Sequence, residues 1–209
     1  MTVYHLKPND HGHPVILHKP SHPTPLSSWI DSNAIATVIP GGLLPATLNG
    51  LPFDEWRDAP SSNEDWDKVE GQIPLDEPAF VIPPGKAAAA GVAIREPDGR
   101  IWLVSPSNGF GGYAVTLPKG RIDSGVNLQA TAIREAFEES GLKVRIKAWL
   151  ADASRTLTYT RYYLAERVGG TPASMGWESQ AVHLVPPTAL PRMLTHANDL
   201  PLLAALQRL

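Results

Sequence analysis

Three glutamates lie close together in the chain, at positions 135, 138 and 139. They fall in a stretch from 127 to 140 that has no proline and repeats apolar residues at helical spacing, which predicts a helix. On a helix, Glu135 is three and four residues from Glu138 and Glu139, so the three carboxylates share one face. Like charges at these spacings repel each other, and acidic side chains are disfavoured in the last turn of a helix. A hard divalent cation bound by the carboxylate oxygens would offset both penalties.

The residues on either side of the glutamates decide between a site and an ordinary acidic surface. Three glutamates considered alone are typical of a solvated helix face whose apolar side is turned to the core. Here a Pro-Lys-Gly turn at 118–120 leads a glycine-bearing loop into the helix, and glycine lets the backbone approach a metal or a phosphate closely. Arg134 stands beside the glutamates, and Gly141 is placed as a helix C-terminal glycine. These flanking residues together favour a site for a metal ion or a phosphate over an ordinary acidic surface.

The stretch from Gly120 to Leu142 resembles the Nudix box. That pattern is a glycine, five residues, a glutamate, seven residues, Arg-Glu, an apolar residue, any residue, Glu-Glu, any residue, a glycine and an apolar residue. The positions that match it are Gly120, Arg134, Glu135, Glu138, Glu139, Gly141 and Leu142, with Ala136 as a small apolar residue. Val126 stands where the pattern has its first glutamate. Because that glutamate supports the site from the loop in this family, its loss implies a variant site with the main ligands intact.

The resemblance implies a role for each acidic residue. Glu135, Glu138 and Glu139 would hold Mg²⁺ or Mn²⁺ together with the Gly120 carbonyl, and Arg134 would orient Glu135. The cation would neutralise a diphosphate that water attacks in line at phosphorus. The general base is left open, because in some relatives it is the box residue that matches Glu135 and in others a carboxylate of a later loop.

Glu178 is the candidate for a base or a further metal ligand outside the box. It follows a turn and precedes a predicted strand, in the sequence Gly-Trp-Glu-Ser at 176–179. The alternative is a surface glutamate beside a packed tryptophan.

Several residues are candidates for contact with the substrate. Lys119 and Arg121 flank the glycine of the box and can reach phosphate oxygens, or they are solvated loop cations. Arg155, Tyr159 and Arg161 lie on or near the strand that borders the substrate in Nudix folds, and strand alternation places Tyr159 and Arg161 on one face. Two further aromatic residues can stack on a base, with loop or core packing as the alternative: Phe110 and Tyr113.

The resemblance favours a dinucleoside polyphosphate as substrate, on the Pro-Lys-Gly sequence at 118–120 and on Tyr159, seventeen residues after Leu142. A diphosphoinositol phosphate or ADP-ribose is the alternative substrate. The alternative function is a non-catalytic Nudix-fold module that senses a nucleotide, which Val126 favours and the intact glutamates oppose.

Proline divides the chain into two parts. Thirteen of the 21 prolines precede Lys86, so residues 1–85 are expected to form a Pro-rich extension of short extended pieces that packs on the core or on a partner subunit. Residues 86–209 are expected to form the Nudix domain, an α/β/α sandwich with a mixed sheet. The pattern predicts a β-hairpin from 87–95 and 101–104, strands over 144–150, 157–166 and 181–185, and helices over 187–194 and 200–209.

Composition excludes several classes of protein. The net charge of −3 and the pI near 6.1 argue against a general binder of nucleic acid or acidic membranes. The chain has no cysteine, which excludes a disulfide framework and a thiolate zinc site. No apolar run approaches the roughly 18 residues of a membrane span, and the N-terminus does not resemble a signal peptide. We expect a cytoplasmic protein that acts on a small phosphorylated substrate, with a homodimer as one possible assembly.

Overall fold

The computed structural model describes residues 2–18, 22–107 and 114–209, so Phe110 and Tyr113 lie outside the described residues. The five helices of this part are α1 (Ser27–Ile30), α2 (Asn63–Asp67), α3 (Leu128–Ser140), α4 (Leu190–Met193) and α5 (Leu200–Leu206). The first strands are β1 (Ala36–Val38), β2 (Thr47–Leu48), β3 (Leu51–Pro52), β4 (Ala87–Ile94) and β5 (Ile101–Pro106). The remaining strands are β6 (Lys119–Arg121), β7 (Leu142–Ser154), β8 (Thr158–Gly170) and β9 (Ser179–Val185).

The strands form two larger sheets and a small hairpin. The mixed sheet has the order β6-β4-β8-β7, with β4 and β8 parallel at its centre and antiparallel neighbours at both edges. The second sheet is antiparallel with the order β1-β9-β5, and β2 pairs with β3. The acidic helix α3 packs mainly on the mixed sheet, and its apolar residues share one core with residues of both sheets. Helix α5 packs in a second apolar cluster on the other face of the mixed sheet.

The predicted hairpin of β4 and β5 is wrong, because the two strands belong to different sheets. They are joined by the predicted turn, in which the Gly99 amide donates to the Glu96 carbonyl at 2.9 Å, and a single bridge links Arg95 to Ile101. Beyond that bridge they diverge. Both strands are apolar and buried along nearly their whole length, so each needs cover on both faces, and separate sheets provide it.

Two other predictions from sequence differ from the structure. The turn expected at 118–120 is replaced in part by the edge strand β6, in which Lys119–Arg121 pair with β4. The strands β7 and β8 both extend beyond the predicted ranges 144–150 and 157–166. The added ends contain charged residues, Lys143, Asp152 and Arg167, and their partners lie elsewhere in the chain, so the sequence pattern alone did not indicate a strand there.

Residues before Lys86 contribute to the same core as the residues after it. Trp29 is fully buried there beside Trp102, with ring centroids 5.9 Å apart. The buried Arg100 guanidinium donates to the Trp29 carbonyl at 2.6 Å. The buried Glu96 carboxylate accepts from the Asn49 side-chain amide at 2.9 Å and from the Arg167 Nε at 2.6 Å. Since buried charges are stable only when paired, these contacts fix the N-terminal part on the core.

The helices that the structure describes include none that is both long and apolar enough to cross a bilayer.

Candidate active site

Helix α3 presents the three glutamates in a fixed register because both of its ends are capped. At the N-terminus, the Asn127 side chain accepts from the Ala130 amide at 3.0 Å, and its own side-chain amide donates to Asp67 Oδ1 at 2.8 Å. At the C-terminus, Gly141 has a φ of 71° and its amide donates to the Phe137 carbonyl. The helix predicted for 127–140 is confirmed.

Glu135 lies directly against the backbone of β6. A Cβ added to Gly120 would stand 2.1–2.3 Å from the three carboxyl atoms of Glu135, so the carboxylate keeps this position only with glycine at 120. The Glu135 side chain is 7% exposed. Burial raises the pKa of Glu135 well above its usual value, and the nearby charges of Glu139 and Glu138 raise it further. The structure therefore brings Gly120 and Glu135, predicted from sequence as partners at the metal, into contact.

Glu138 and Glu139 occupy the last turn of the same helix. The Glu139 carboxylate accepts a hydrogen bond from the Lys119 amide at 3.0 Å, which ties it to β6. Glu138 is half exposed, and its Oε2 lies 3.6 Å from Arg134 Nε. The pKa of each is raised, first by loss of hydration and then by neighbouring carboxylates that include Glu178.

Arg134 connects the glutamates to the loop before the helix. Its buried guanidinium donates to Glu135 Oε1 at 3.2 Å, to the Arg121 carbonyl at 3.2 Å and to the Asp123 carboxylate. Arg134 is therefore placed to orient Glu135, as the resemblance implies. Sequence reasoning missed Asp123, although an acidic residue in the loop of a box without its first glutamate is a signal that could have found it. Val126 itself is buried in the core.

Glu178 belongs to the same site, because its loop rests on the end of α3. The Gly176 amide donates to the Glu138 carbonyl at 2.8 Å, and a Cβ on Gly176 would stand 2.1 Å from that oxygen. Partial burial raises the pKa of Glu178, Asp10 raises it further, and Lys119 and Arg134 oppose the shift. The structure thus brings Glu178 near the box, and it adds Asp10, a residue that sequence reasoning did not consider.

The other predicted substrate residues are divided between the site and its surroundings. Lys119 is close enough to Glu139 and Glu178 to lower the pKa of both, and Arg121 is exposed beside it.

Arg161 is 2% exposed, with its guanidinium bound to Asp152 at 2.7 Å and to Glu77 at 2.8 Å. Arg155 is buried in an ion pair with Asp199. Burial and pairing of this kind are typical of structural arginines. Contact of these two side chains with substrate stays a prediction.

Tyr159 and Arg161 do share one face of β8, as strand alternation predicts. The Tyr159 ring is stacked on the Phe80 ring, with centroids 5.2 Å apart. The Arg161 guanidinium lies 4.8 Å from the centroid of the Phe80 ring. Tyr162 points to the opposite face, where it packs in the second apolar cluster.

The acidic residues fit a hard divalent cation in their chemistry. Within residues 2–18, 22–107 and 114–209, no three acidic or histidine side chains converge closely enough to hold a metal ion as they stand. The candidate donors are nevertheless all carboxylate oxygens, which Mg²⁺ and Mn²⁺ prefer. These carboxylates repel one another, and the Glu135 carboxylate occupies the space that a side chain at position 120 would fill. A bound cation would replace this repulsion by attraction.

Comparison with known proteins agrees with this geometry. The family model of the NUDIX domain matches residues 85–206, more than half of the chain. The chain belongs to the NUDIX domain family. The resemblance of residues 120–142 to the Nudix box is therefore confirmed as membership of this family.

A Mycobacterium tuberculosis protein with the name mutator protein MutT4 is similar to this NUDIX chain, with 34% identity over 92 residues. The match covers 40% of the chain and 37% of that protein, so the chain spans well under two thirds of this relative's length.

Two solved structures are similar to this chain. A NUDIX hydrolase from Nitrosomonas europaea has a TM-score of 0.51 and 20% identity, over 59% of this chain and 72% of that one. An Ap4A hydrolase from C. elegans has a TM-score of 0.48 and 20% identity, over 57% of this chain and 93% of that one. The first likeness, together with the sheet order, confirms the predicted Nudix-like α/β fold with a mixed sheet.

Proposed function

We propose that the chain is a Mg²⁺-dependent pyrophosphohydrolase that cleaves a phosphoanhydride in a nucleoside diphosphate linked to another moiety. The observation that carries the proposal is the position of the Glu135 carboxylate. It occupies the space that a side chain at position 120 would fill, and it lies beside two further glutamates of the helix. A buried carboxylate among other carboxylates is unfavourable unless cations accompany it. Among the residues that the structure describes, Arg134 is the cation that makes close ion pairs with these glutamates, and a divalent cation would balance the remaining charge.

The residues of α3 would have two roles, metal binding and the positioning of a metal ligand. Glu135, Glu138 and Glu139 would hold Mg²⁺ or Mn²⁺, with the Gly120 carbonyl as a further oxygen ligand. When bound, the cation neutralises the diphosphate and lowers the pKa of water, so that water attacks phosphorus at neutral pH. Arg134 keeps the Glu135 carboxylate in place through its hydrogen bond of 3.2 Å.

Glu178 is the proposed general base. Glu178 does not take part in the ion pairs of Arg134, and it lies on a loop that is bonded to the end of α3. Its raised pKa is closer to neutral pH than that of an ordinary glutamate, which suits a general base. Glu135 is the alternative base, because it is the box residue that acts so in some relatives. Lys119 and Arg121 are placed on either side of Gly120 to contact the phosphate oxygens that leave with the product.

A dinucleoside polyphosphate is the substrate we favour, with a diphosphoinositol phosphate or ADP-ribose as alternatives. Support comes from the Pro-Lys-Gly sequence at 118–120 and from Tyr159. Since Phe80 stacks on one face of the Tyr159 ring, a nucleobase would have to use the other face or displace Phe80.

The test is hydrolysis of a panel of substrates with Mg²⁺. The panel contains dinucleoside polyphosphates, ADP-ribose, nucleoside triphosphates and diphosphoinositol phosphates, and phosphorylated products are quantified by chromatography. We expect turnover of at least one, and a Glu138→Gln variant at least 100-fold slower, since it loses a charged ligand. Glu64→Gln is the matched control, because Glu64 is 79% exposed and pairs with Lys68, the residue that follows α2.

A non-catalytic nucleotide sensor is the competing function. It predicts that some members of the panel bind tightly and that none is turned over, and this result would refute the hydrolase. A Glu138→Gln variant as fast as the parent would refute the metal assignment while leaving hydrolysis in place.

A further inference from the structure

Residues 2–18 form a small hairpin beside the candidate active site. Tyr4 and Ile16 pair across it in an antiparallel bridge. The turn Asn9–His13 closes it, with the Asn9 amide donating to the His13 carbonyl at 2.9 Å. The Asn9 side chain also accepts from the His11 and His13 amides at 3.0 and 2.9 Å, which makes the turn rigid. Asp10 therefore projects from a defined turn at the tip.

The hairpin is bound to the loop at 172–178. The Trp177 indole Nε1 donates to Asp10 Oδ1 at 3.0 Å, across 167 residues of sequence. A second bond joins the Lys7 ammonium to the Ser174 carbonyl. Both contacts connect the N-terminal segment to the loop that carries Glu178.

Several bonds hold this loop, among them one from the Ser107 amide to the Glu178 carbonyl at 2.7 Å, and two others are made by Gly176 and Trp177. On one side, the Gly176 amide is bonded to the Glu138 carbonyl at the end of α3. On the other side, Trp177 is bonded to Asp10. Glu178 follows Trp177 directly, so the bond between Trp177 and Asp10 is one of the attachments on which the direction of the Glu178 side chain depends. Asp10 is also close enough to raise the pKa of Glu138 and of Glu178, which places its carboxylate at the edge of the acidic site.

We propose that Asp10 is a positioning residue of the active site, which holds the Trp177 indole and thereby sets Glu178 over the carboxylates of α3. The proposal rests on the proposed function for its kinetic consequence, but the contact itself does not. It gives the N-terminal hairpin a role in catalysis, since a segment outside the family match at 85–206 completes the site.

Three substitutions separate the hydrogen bond from the charge and from mere folding. Asp10→Ala removes the acceptor, Trp177→Phe removes the donor while keeping an aromatic ring, and Asp10→Asn keeps an oxygen acceptor without the charge. Asp54→Ala is the control, because Asp54 is an exposed aspartate of the same N-terminal part of the chain.

We expect Asp10→Ala and Trp177→Phe each to lower kcat about tenfold with KM nearly unchanged, as is usual for the loss of a supporting contact. The double variant should be no slower than either single variant, because both remove the same bond. Asp10→Asn and Asp54→Ala should keep kcat within about twofold of the parent. Parental kcat in Asp10→Ala, multiplicative losses in the double variant, or an Asp10→Asn as slow as Asp10→Ala would each overturn the proposal.

A measurement without turnover separates this proposal from the proposed function. In ¹⁵N-labelled protein, the Trp177 indole N–H should exchange with solvent faster in Asp10→Ala than in the parent and at the parental rate in Asp10→Asn. If this holds while no substrate is hydrolysed, the proposed function fails and the hairpin contact stands, though not as a catalytic device. Equal exchange in all three proteins would overturn the positioning contact.

Discussion

Gly120→Ala tests the contact on which the site depends. The added Cβ would stand 2.1–2.3 Å from the carboxyl atoms of Glu135, whereas ordinary contacts begin near 3.4 Å. The carboxylate must therefore move by about 1 Å, and the end of a flexible side chain can do so without displacing the strand. The φ of Gly120 does not lie in the left-handed region, so alanine suits the backbone there.

The expected cost falls on catalysis. A misplacement of about 1 Å in a catalytic constellation can cost on the order of 100-fold in rate. At about 1.4 kcal/mol for each factor of ten, this corresponds to roughly 3 kcal/mol of lost transition-state stabilisation. The free energy of unfolding should change by only about 1 kcal/mol, because the clash is relieved by one side chain.

The assay compares kcat/KM and urea unfolding for the parent, Gly120→Ala and Gly169→Ala. Gly169 is a suitable control, since a Cβ there would meet the Lys143 Cβ at 3.7 Å, an ordinary contact. We expect a loss of about 100-fold for Gly120→Ala and parental activity for Gly169→Ala. A Gly120→Ala enzyme with parental kcat/KM would refute the reasoning, and so would a loss of activity explained by unfolding at the assay temperature.

Three further outcomes follow from the described contacts. Asp123→Asn should lower kcat about tenfold in steady-state assays, since it removes the charged partner of Arg134, with little change in Tm because the Asp123 side chain is half exposed. Burial lowers the pKa of His183 from 6.5 to about 4, so the unfolded chain binds a proton at this residue before the folded one does. As pH drops from 6.5 to 4, the parent should therefore lose about 3 kcal/mol of stability relative to His183→Gln, and urea unfolding of the two proteins should show this difference, because the carboxylates with raised pKa titrate alike in both. Mg²⁺ at 100 times its Kd should stabilise the fold by about 3 kcal/mol, and a thermal shift equal to that of a Glu138→Gln variant would contradict the ligand assignment.

The sequence was informative where the determinants are local. The helix α3 could be predicted because its cap residue, its apolar spacing and its terminal glycine all lie within 127–141. The same local spacing placed Arg134 beside Glu135 and put the three carboxylates on one face, as the structure has them.

What the sequence did not reveal depends on contacts between distant residues. The division of β4 and β5 between two sheets is decided by the pairing of β5 with β9, about 80 residues further along the chain. Asp10 and Trp177 are 167 residues apart, and neither residue type signals the other. The ion pair of Arg161 with Glu77, 84 residues earlier, was likewise not recognisable from the sequence.

Hydrolysis in H₂¹⁸O tests the central claim most directly. Each substrate of the panel is incubated with Mg²⁺ in labelled water, and the products are analysed by mass spectrometry with and without EDTA. The account predicts one ¹⁸O atom in one phosphorylated product, only when Mg²⁺ is present, and at least 100-fold less product with Glu138→Gln. Tight binding without labelled product, or labelled product at the parental rate in EDTA, would contradict it.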